Sequence, residues 1–356
     1  SSPMQQRSYD ERSEEFSCKK NIDAFLVTKD VNITYLTHFP ASESWLLVGR
    51  KKSFYITDFR YFHEAKKGLP KGVEVVRYSK SMFDTTFELA SQQKLKHIGF
   101  DDRHISLASF KKLKARCSQR VKLTTANNFI EELRQIKAPE EIQLVREALA
   151  IHAQALNYLK GYIKPGISER DLLLRLANFV KAKGVGFSFD PIIASGPHSA
   201  LPHAKVTNRK VLKNDIVLVD MGIDVKGYKS DLTRMFFLGK IPPLVSQTNE
   251  FVKTAQLKAI AKIRPHERAR EIDAEARNYL EEKRLGKYFG HSLGHGVGLE
   301  IHEDPKISQT STAVIQEGMI FTVEPAVYIP SQFGIRIEDM VLVTQQGCEV
   351  LSDNIH

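Results

Sequence analysis

Five side chains able to offer oxygen or nitrogen to a cation stand in the second half of this 356-residue chain: Asp220, Asp231, His295, Glu324 and Glu338. Asp220 ends the apolar run Ile216–Asp220, and Asp231 follows eleven residues later in Ser230-Asp231-Leu232-Thr233-Arg234, on a returning strand. A carboxylate at the end of a buried strand is costly unless it is paired or bound to metal. Two of them joined by a hairpin can face one point from neighbouring strands. His295 lies in Gly294-His295-Gly296-Val297-Gly298, where glycines allow close backbone packing and leave the imidazole accessible. Glu324 ends the strand-like Ile320–Val323 before Pro325, and Glu338 interrupts the apolar run Ile335–Val343.

Four carboxylates and one imidazole form a mostly hard ligand set. It suits Mn²⁺, Co²⁺ or Zn²⁺, and two ions more readily than one. Two cations about 3.5–4 Å apart can activate water and stabilise a tetrahedral oxyanion together. Each residue also has a purely structural reading. Asp220 could end a strand, Asp231 could pair with Arg234, Glu338 could pair with Arg336, and His295 could be a satisfied core histidine. Five such coincidences on apolar strands are far less economical than one metal centre.

The elements that must position these groups follow from periodicity. Residues 131–356 read as an α+β domain of two similar halves, each a helix pair followed by strands. The first helix starts at Ala138-Pro139, because proline suits the first helical position. It places Ile142, Val145, Leu149, His152, Leu156 and Leu159 on one face, and Pro165-Gly166 ends it. Ser168 caps the next helix, with Asp171 three residues on. Further helices are predicted at Thr248–Ile263 and Ala269–Arg284. Strands are predicted at Ile216–Asp220, Lys229–Phe237, Ile320–Val323 and Ile335–Val343, with a turn at Asp224–Gly227.

Residues 1–130 read as a separate, smaller α/β domain. Its strands are predicted at Ile22–Thr28, Trp45–Val48, Phe54–Thr57, Val73–Tyr78 and Ile98–Phe100, and its helices at Arg60–Lys67 and Met82–Gln93. The domain boundary falls near Asn127–Lys137. Ser1-Ser2-Pro3 before Met4 reads as an added remnant.

The net charge of +10 is uneven: residues 1–130 carry +9 and residues 131–356 carry +1. The densest basic run is Lys111, Lys112, Lys114, Arg116 and Arg120. No nucleic-acid-binding module accompanies it, so it reads as a solvated helix face and nucleic acid is not an expected partner. No apolar run approaches the ~18 residues of a membrane span. Cys18, Cys117 and Cys348 lack CxxC spacing and are odd in number, which fits free thiols in a reducing cytoplasm.

The flanks of the five donors carry a resemblance. Ser199-Ala200-Leu201-Pro202-His203, Ser230-Asp231-Leu232-Thr233-Arg234, His291-Ser292-Leu293-Gly294-His295-Gly296-Val297-Gly298-Leu299-Glu300-Ile301-His302-Glu303 and Gly334-Ile335-Arg336-Ile337-Glu338-Asp339 resemble the proline-specific branch of the pita-bread metallopeptidases. That branch contains aminopeptidase P (Xaa-Pro aminopeptidase) and prolidase (Xaa-Pro dipeptidase). The N-terminal part is similar to the creatinase/prolidase N-terminal domain, most familiarly at Thr57-Asp58-Phe59-Arg60-Tyr61.

The resemblance implies a pita-bread catalytic domain and two divalent ions, manganese ahead of cobalt or zinc. It implies that Asp220 binds one ion, that Asp231 and Glu338 bridge the pair, and that His295 and Glu324 complete the second. A hydroxide between the ions would attack the scissile carbonyl, with Glu324 as proton shuttle. His203 and His302 would contact substrate and the tetrahedral centre, and His291 and Arg336 would line the pocket. Short proline-containing peptides and a homodimer complete the implied partners. A prolyl bond lacks the amide N–H of an ordinary peptide, which makes a dedicated pocket reasonable.

The chain departs from the usual pattern at Ala204, Ala326 and Gln332-Phe333-Gly334, where glycine is commoner, so the pocket rim and preferred peptide length stay open. His198 reads as a loop residue. Trp45, the only tryptophan, reads as a core or interface aromatic, with a pocket wall as the alternative. The rival readings are a methionine aminopeptidase, which usually lacks such an N-terminal domain, and a binding protein without catalysis, which typically loses ligands.

Overall fold

The computed structural model describes residues 21–117 and 119–356. Ser1-Ser2-Pro3 and Cys18 lie outside the described residues. The chain forms two compact units, one ending at Arg134 and the other spanning Gln135–His356.

The first unit is built on a six-stranded mixed sheet. Its strands are β1 (Ala24–Val27), β2 (Trp45–Gly49), β3 (Ser53–Thr57), β4 (Val73–Arg77), β5 (His97–Phe100) and β6 (Lys122–Thr125). They lie in the order β4-β3-β2-β1-β5-β6, with β3 antiparallel to β2, β2 antiparallel to β1, and the β4–β3, β1–β5 and β5–β6 pairs parallel. Helices α1 (Asp30–Thr37), α2 (Phe62–Gly68), α3 (Met82–Gln92), α4 (Leu107–Cys117) and α5 (Phe129–Gln135) accompany it.

Helix α1 is absent from the sequence reading. Val31, Ile33, Thr34 and Thr37 are β-branched and argue locally against a helix. Burial of Ile33, Tyr35 and Leu36 overrides that preference. Strand β6 is also missed, because Lys122-Leu123-Thr124-Thr125 has a single strong apolar residue and takes its place by parallel pairing with β5. Trp45 is buried in this unit's core, edge-on to Phe83 at 5.3 Å, so the pocket-wall reading gives way to the core one. Lys111, Lys112, Lys114 and Arg116 line the exposed face of α4, while Leu113 and Cys117 face inward.

The second unit follows the two-half plan. In the first half, α6 (Pro139–Lys160) and α7 (Glu169–Ala182) precede β7 (Gly186–Phe187), β8 (Ile192–Ser195), β9 (Ile216–Met221), β10 (Ile223–Val225), β11 (Tyr228–Lys229) and β12 (Leu232–Phe237). In the second, α8 (Pro243–Lys262) and α9 (Ala269–Glu282) precede β13 (Gly294–Gly296), β14 (Glu303–Ile307), β15 (Ile320–Val323), β16 (Ala326–Ile329), β17 (Phe333–Arg336), β18 (Asp339–Val343) and β19 (Cys348–Val350). The sheets run β12-β9-β8, β11-β10-β7, β14-β13-β15-β18-β19 and β16-β17. In each half the residue capping the second helix, Ser168 or Arg268, bridges to a later loop, at Lys210 or Val314.

Two predicted strands are broken. Lys229–Phe237 divides, because Tyr228–Lys229 pairs with β10 around a left-handed Lys226-Gly227 turn and only Leu232–Phe237 pairs with β9. Ile335–Val343 divides into β17 and β18 at Ile337-Glu338, where Glu338 bridges to Thr233 across the halves. The interruption is the carboxylate itself, aimed inward from a chain that changes sheets there.

Helix starts follow local chemistry. Pro139 opens α6, and Glu141 reaches back to accept the Ala138 N–H at 2.7 Å. The Ser168 hydroxyl accepts the Asp171 N–H at 3.0 Å and caps α7. Among the described residues no helix is long and apolar enough to cross a membrane. Ser168→Ala should lower the unfolding free energy by about 1 kcal/mol. Urea titration checks this, and an unchanged midpoint would show that the cap contributes nothing measurable.

Candidate functional site

All five candidate ligands are brought to one buried place by antiparallel strands. Asp220 on β9 stands opposite Thr233 on β12, and Asp231 lies immediately before β12 rather than within it. His295 is the middle residue of β13, Glu324 lies between β15 and β16, and Glu338 lies between β17 and β18. Asp231, His295 and Glu338 present ligand atoms all within 4.8 Å of one another, close enough to share one ion.

The imidazole of His295 has its orientation fixed. Its Nδ1 lies 2.9 Å from the Gly296 carbonyl oxygen and must donate there, so Nε2 turns to the carboxylates. Nε2 is 3.3 Å from Asp231 Oδ2 and 3.2 Å from Glu324 Oε1. The flanking glycines are required by close approach. A Cβ on Gly294 would stand 1.8 Å from the Thr322 carbonyl oxygen, and one on Gly296 would stand 2.1 Å from that of Asp304. Thr322 ties the site together: its hydroxyl accepts the His295 N–H at 3.1 Å and donates to Glu324 Oε1 at 3.0 Å.

Arg336 holds the other side. Its Nη2 donates to Asp220 Oδ2 at 2.6 Å, its Nε to Thr233 Oγ1 at 3.0 Å, and its Nη1 to the Tyr328 hydroxyl at 2.7 Å. Thr233 Oγ1 then donates to Glu338 Oε1 at 2.8 Å. One guanidinium therefore orients Asp220 directly and Glu338 through one hydroxyl. The opposite oxygens, Asp220 Oδ1 and Glu338 Oε2, are buried without a hydrogen-bond partner. Bare, buried carboxylate oxygens beside an imidazole nitrogen turned toward two further carboxylates are what divalent cations would satisfy, so the donor set fits a metal centre. The purely structural pairings are not the ones formed. Arg234 takes Asp339 at 2.7 Å and the Glu338 carbonyl oxygen rather than Asp231, and Arg336 takes Asp220.

Electrostatics agree with the geometry. Burial pushes the Asp220 carboxyl up to about 8, with Arg336 opposing and Asp231 and Glu324 adding repulsion. Burial and the three neighbouring carboxylates drive Glu338 well above the usual range, and Asp231 is raised chiefly by burial. Glu324 goes the other way: burial would raise it, but the hydrogen bond and charge of His295 hold it at about 2. His295 is raised well above an ordinary histidine, because Asp231 and Glu324 outweigh its burial. Burial and mutual repulsion favour protons on Asp220, Asp231 and Glu338, and a divalent cation would offset the same repulsion.

The surrounding histidines differ in kind. The His302 ring lies 4.2 Å from that of His295, and its proton affinity is lowered by burial first and then by the charge of His295, with Asp231 and Glu324 opposing. His203 is exposed, in a turn after Pro202. His291 donates from Nδ1 to the Ser292 carbonyl oxygen at 2.8 Å, so its Nε2 accepts from the Tyr328 hydroxyl at 2.9 Å. His198 lies outside the cluster, 3.1 Å from Glu169 Oε2.

Thr233, Thr322 and Tyr328 carry the site's internal bonding and were given no role from sequence. The signal existed: Thr233 and Thr322 each lie two residues from a ligand, which on a strand puts them on the same face. A second trio, Asp101, His104 and Glu131, also presents ligand atoms within 4.8 Å. There Arg103 pairs with Asp101 at 2.7 Å and lies 3.4 Å from Glu131, and Asn32 donates to Glu131 at 2.9 Å, so the trio is an ion-pair network.

Residues 143–345 match the metallopeptidase family M24, and residues 11–136 match the creatinase/prolidase N-terminal domain. This chain belongs to metallopeptidase family M24. It is 36% identical to an uncharacterised peptidase, YqhT, of Bacillus subtilis, over 92% of each chain. An Xaa-Pro dipeptidase structure from Bacillus anthracis superposes with TM-score 0.91 at 34% identity, covering 97% of both chains. An X-Pro aminopeptidase structure from Thermotoga maritima gives TM-score 0.88 at 32% identity, covering 96% of this chain and 97% of that one. The α+β pita-bread fold behind a creatinase-like N-terminal domain is therefore established, as is membership of a hydrolytic family that uses divalent metal.

Adding Mn²⁺ or Co²⁺ to metal-free protein should raise the melting temperature, by the equivalent of about 2.7 kcal/mol at a hundredfold excess over Kd. Gly296→Ala should abolish that response, since its methyl group would force β13 away from Asp304. A Gly296→Ala protein with an undiminished metal-dependent shift, measured by differential scanning calorimetry, would show that this close approach does not matter.

Proposed function

We propose that this protein hydrolyses the bond between an N-terminal residue and a following proline in short peptides. The observation that carries the reading is the cluster of Asp231, His295 and Glu338 ligand atoms within 4.8 Å of one another, with bare buried oxygens on Asp220 and Glu338, in a chain of family M24. The names of its relatives support the proline preference: both Xaa-Pro dipeptidases and putative Xaa-Pro aminopeptidases resemble the chain over more than nine-tenths of its length.

In this reading Asp220, Asp231, His295, Glu324 and Glu338 would together hold two divalent ions. The bound ions supply Lewis acidity, which lowers the pKa of water and offsets charge on a tetrahedral oxyanion. Glu324 takes a proton at its carboxylate and delivers it to the leaving imino nitrogen. His302 and His203 face the substrate and donate to the developing oxyanion. Arg336 keeps Asp220 and, through Thr233, Glu338 in register, and His291 holds Tyr328 against Arg336. Manganese is the proposed native metal, with cobalt and zinc as alternatives that the same ligands accept. A homodimer in the cytoplasm is the proposed state.

Ala-Pro, Ala-Pro-Ala and Ala-Ala-Ala, assayed with and without Mn²⁺ or Co²⁺, test the proposal. Metal-dependent cleavage confined to the proline peptides is expected, and the ratio of the first two rates separates dipeptidase from aminopeptidase action. Preference for Met-Ala peptides would replace the reading with a methionine aminopeptidase, and inactivity of protein holding two ions would replace it with a binding role. Asp231→Ala and Glu338→Ala should each lose metal and turnover together, as measured by elemental analysis and kinetics. His302→Ala should keep its metal and lose turnover by about 10²-fold; loss of metal instead would make His302 a ligand.

A further inference from the structure

Glu169 is a buried carboxylate that the chemistry above does not use, at the first turn of α7. Its Oε2 accepts from the Ser195 N–H at 2.7 Å and the Ser195 hydroxyl at 2.6 Å. Its Oε1 accepts from the Thr207 N–H at 3.0 Å and the Thr207 hydroxyl at 2.7 Å. His198 Nδ1 adds a further contact at 3.1 Å. Ser195 ends β8 and Thr207 lies beyond His203, so one side chain grips both ends of the loop that carries His203.

The same loop is fixed at its middle to the strand that carries Arg336. The Ser199 hydroxyl accepts the Gly334 N–H at 2.8 Å, and a Cβ on Gly334 would stand 1.9 Å from the Ser199 carbonyl oxygen. Arg209 backs the clamp, donating to the Ser195 hydroxyl at 2.7 Å and to Asp215 at 2.6 Å. Although burial pushes Glu169 up, the Ser195 and Thr207 bonds hold it below the usual carboxylate range, so it stays ionised and accepts from every donor around it. A carboxylate spent in this way contributes far more to one loop conformation than a surface residue could.

We propose that Glu169 is a positioning residue: it closes the loop 195–207 on both sides and thereby sets where His203 stands against the substrate. The inference rests on the substrate-facing role proposed for His203, and two independent readouts keep the two claims apart. The first is amide hydrogen exchange of residues 196–206, read without substrate. Glu169→Gln replaces an acceptor oxygen by an NH₂ group facing N–H donors. It should accelerate exchange across the loop while leaving β9, β12, β15 and β18 and the bound-metal stoichiometry unchanged. The second is a double-mutant cycle on kcat/KM for Ala-Pro cleavage. Glu169→Gln should cost on the order of 10- to 100-fold, and His203→Ala should cost less in that background than in the wild type.

Thr207→Val gives a milder version that retains the carboxylate, and Thr207→Ser should restore the wild-type values. If Glu169→Gln does not fold, Thr207→Val decides by the same two measurements. Unchanged exchange in residues 196–206 would overturn the clamp. Faster exchange with fully multiplicative losses in kcat/KM would overturn the link from clamp to His203. A His203→Ala protein as active as wild type would remove the role proposed for His203, leaving the clamp to be judged by exchange alone.

Discussion

Four carboxylates share one desolvated pocket, and that repulsion is the constraint around which the second unit is organised. Charges of one sign cannot be packed together in a medium of low effective dielectric unless something of opposite sign is built in beside them. Arg336 supplies part of it from within the chain, and His295 supplies part of it at the opposite edge. The remainder is left as bare oxygen atoms. The close glycine contacts, the threonine hydroxyls and the strand breaks at Glu324 and Glu338 hold the carboxylates around those buried oxygens.

The architecture follows from that requirement. Each ligand comes from a different strand or strand junction, because adjacent residues of one strand point to opposite faces. Converging five groups on one point therefore needs several strands whose ends meet. The bridge between Thr233 and Glu338 is where the two halves join, and the hydrogen bond from Thr233 Oγ1 to Glu338 runs across the same junction. The proposed ligands lie on strands or at strand junctions, whereas His203 sits on a loop gripped by the buried Glu169 carboxylate.

Much of this was legible in the sequence for identifiable reasons. Charged residues interrupting apolar strand patterns are expensive, so Asp220, His295 and Glu324 stood out before any fold was known. The paired-helix plan was visible because proline, serine and glycine mark helix ends by known chemistry, as at Pro139 and Ser168. What stayed hidden was the pairing of charges: Arg234 and Arg336 each sit beside a plausible carboxylate in sequence and bind a different one in space. Local propensity also failed at α1, where β-branched residues fold as a helix because burial outweighs their preference. Thr233, Thr322 and Tyr328 are ordinary residues for strands, and only the converging chain gives them work.

The position of the centre at the junction of two similar halves has a consequence for how the unit is assembled. Asp220 and Asp231 belong to the first half, and His295, Glu324 and Glu338 to the second, so neither half alone owns the whole set of proposed ligands. Free energy released on binding ions is then free energy of docking the halves. Under the proposed assignment a cation would act as a clip between the two halves, and affinity for metal and cohesion of the fold would become one linked quantity.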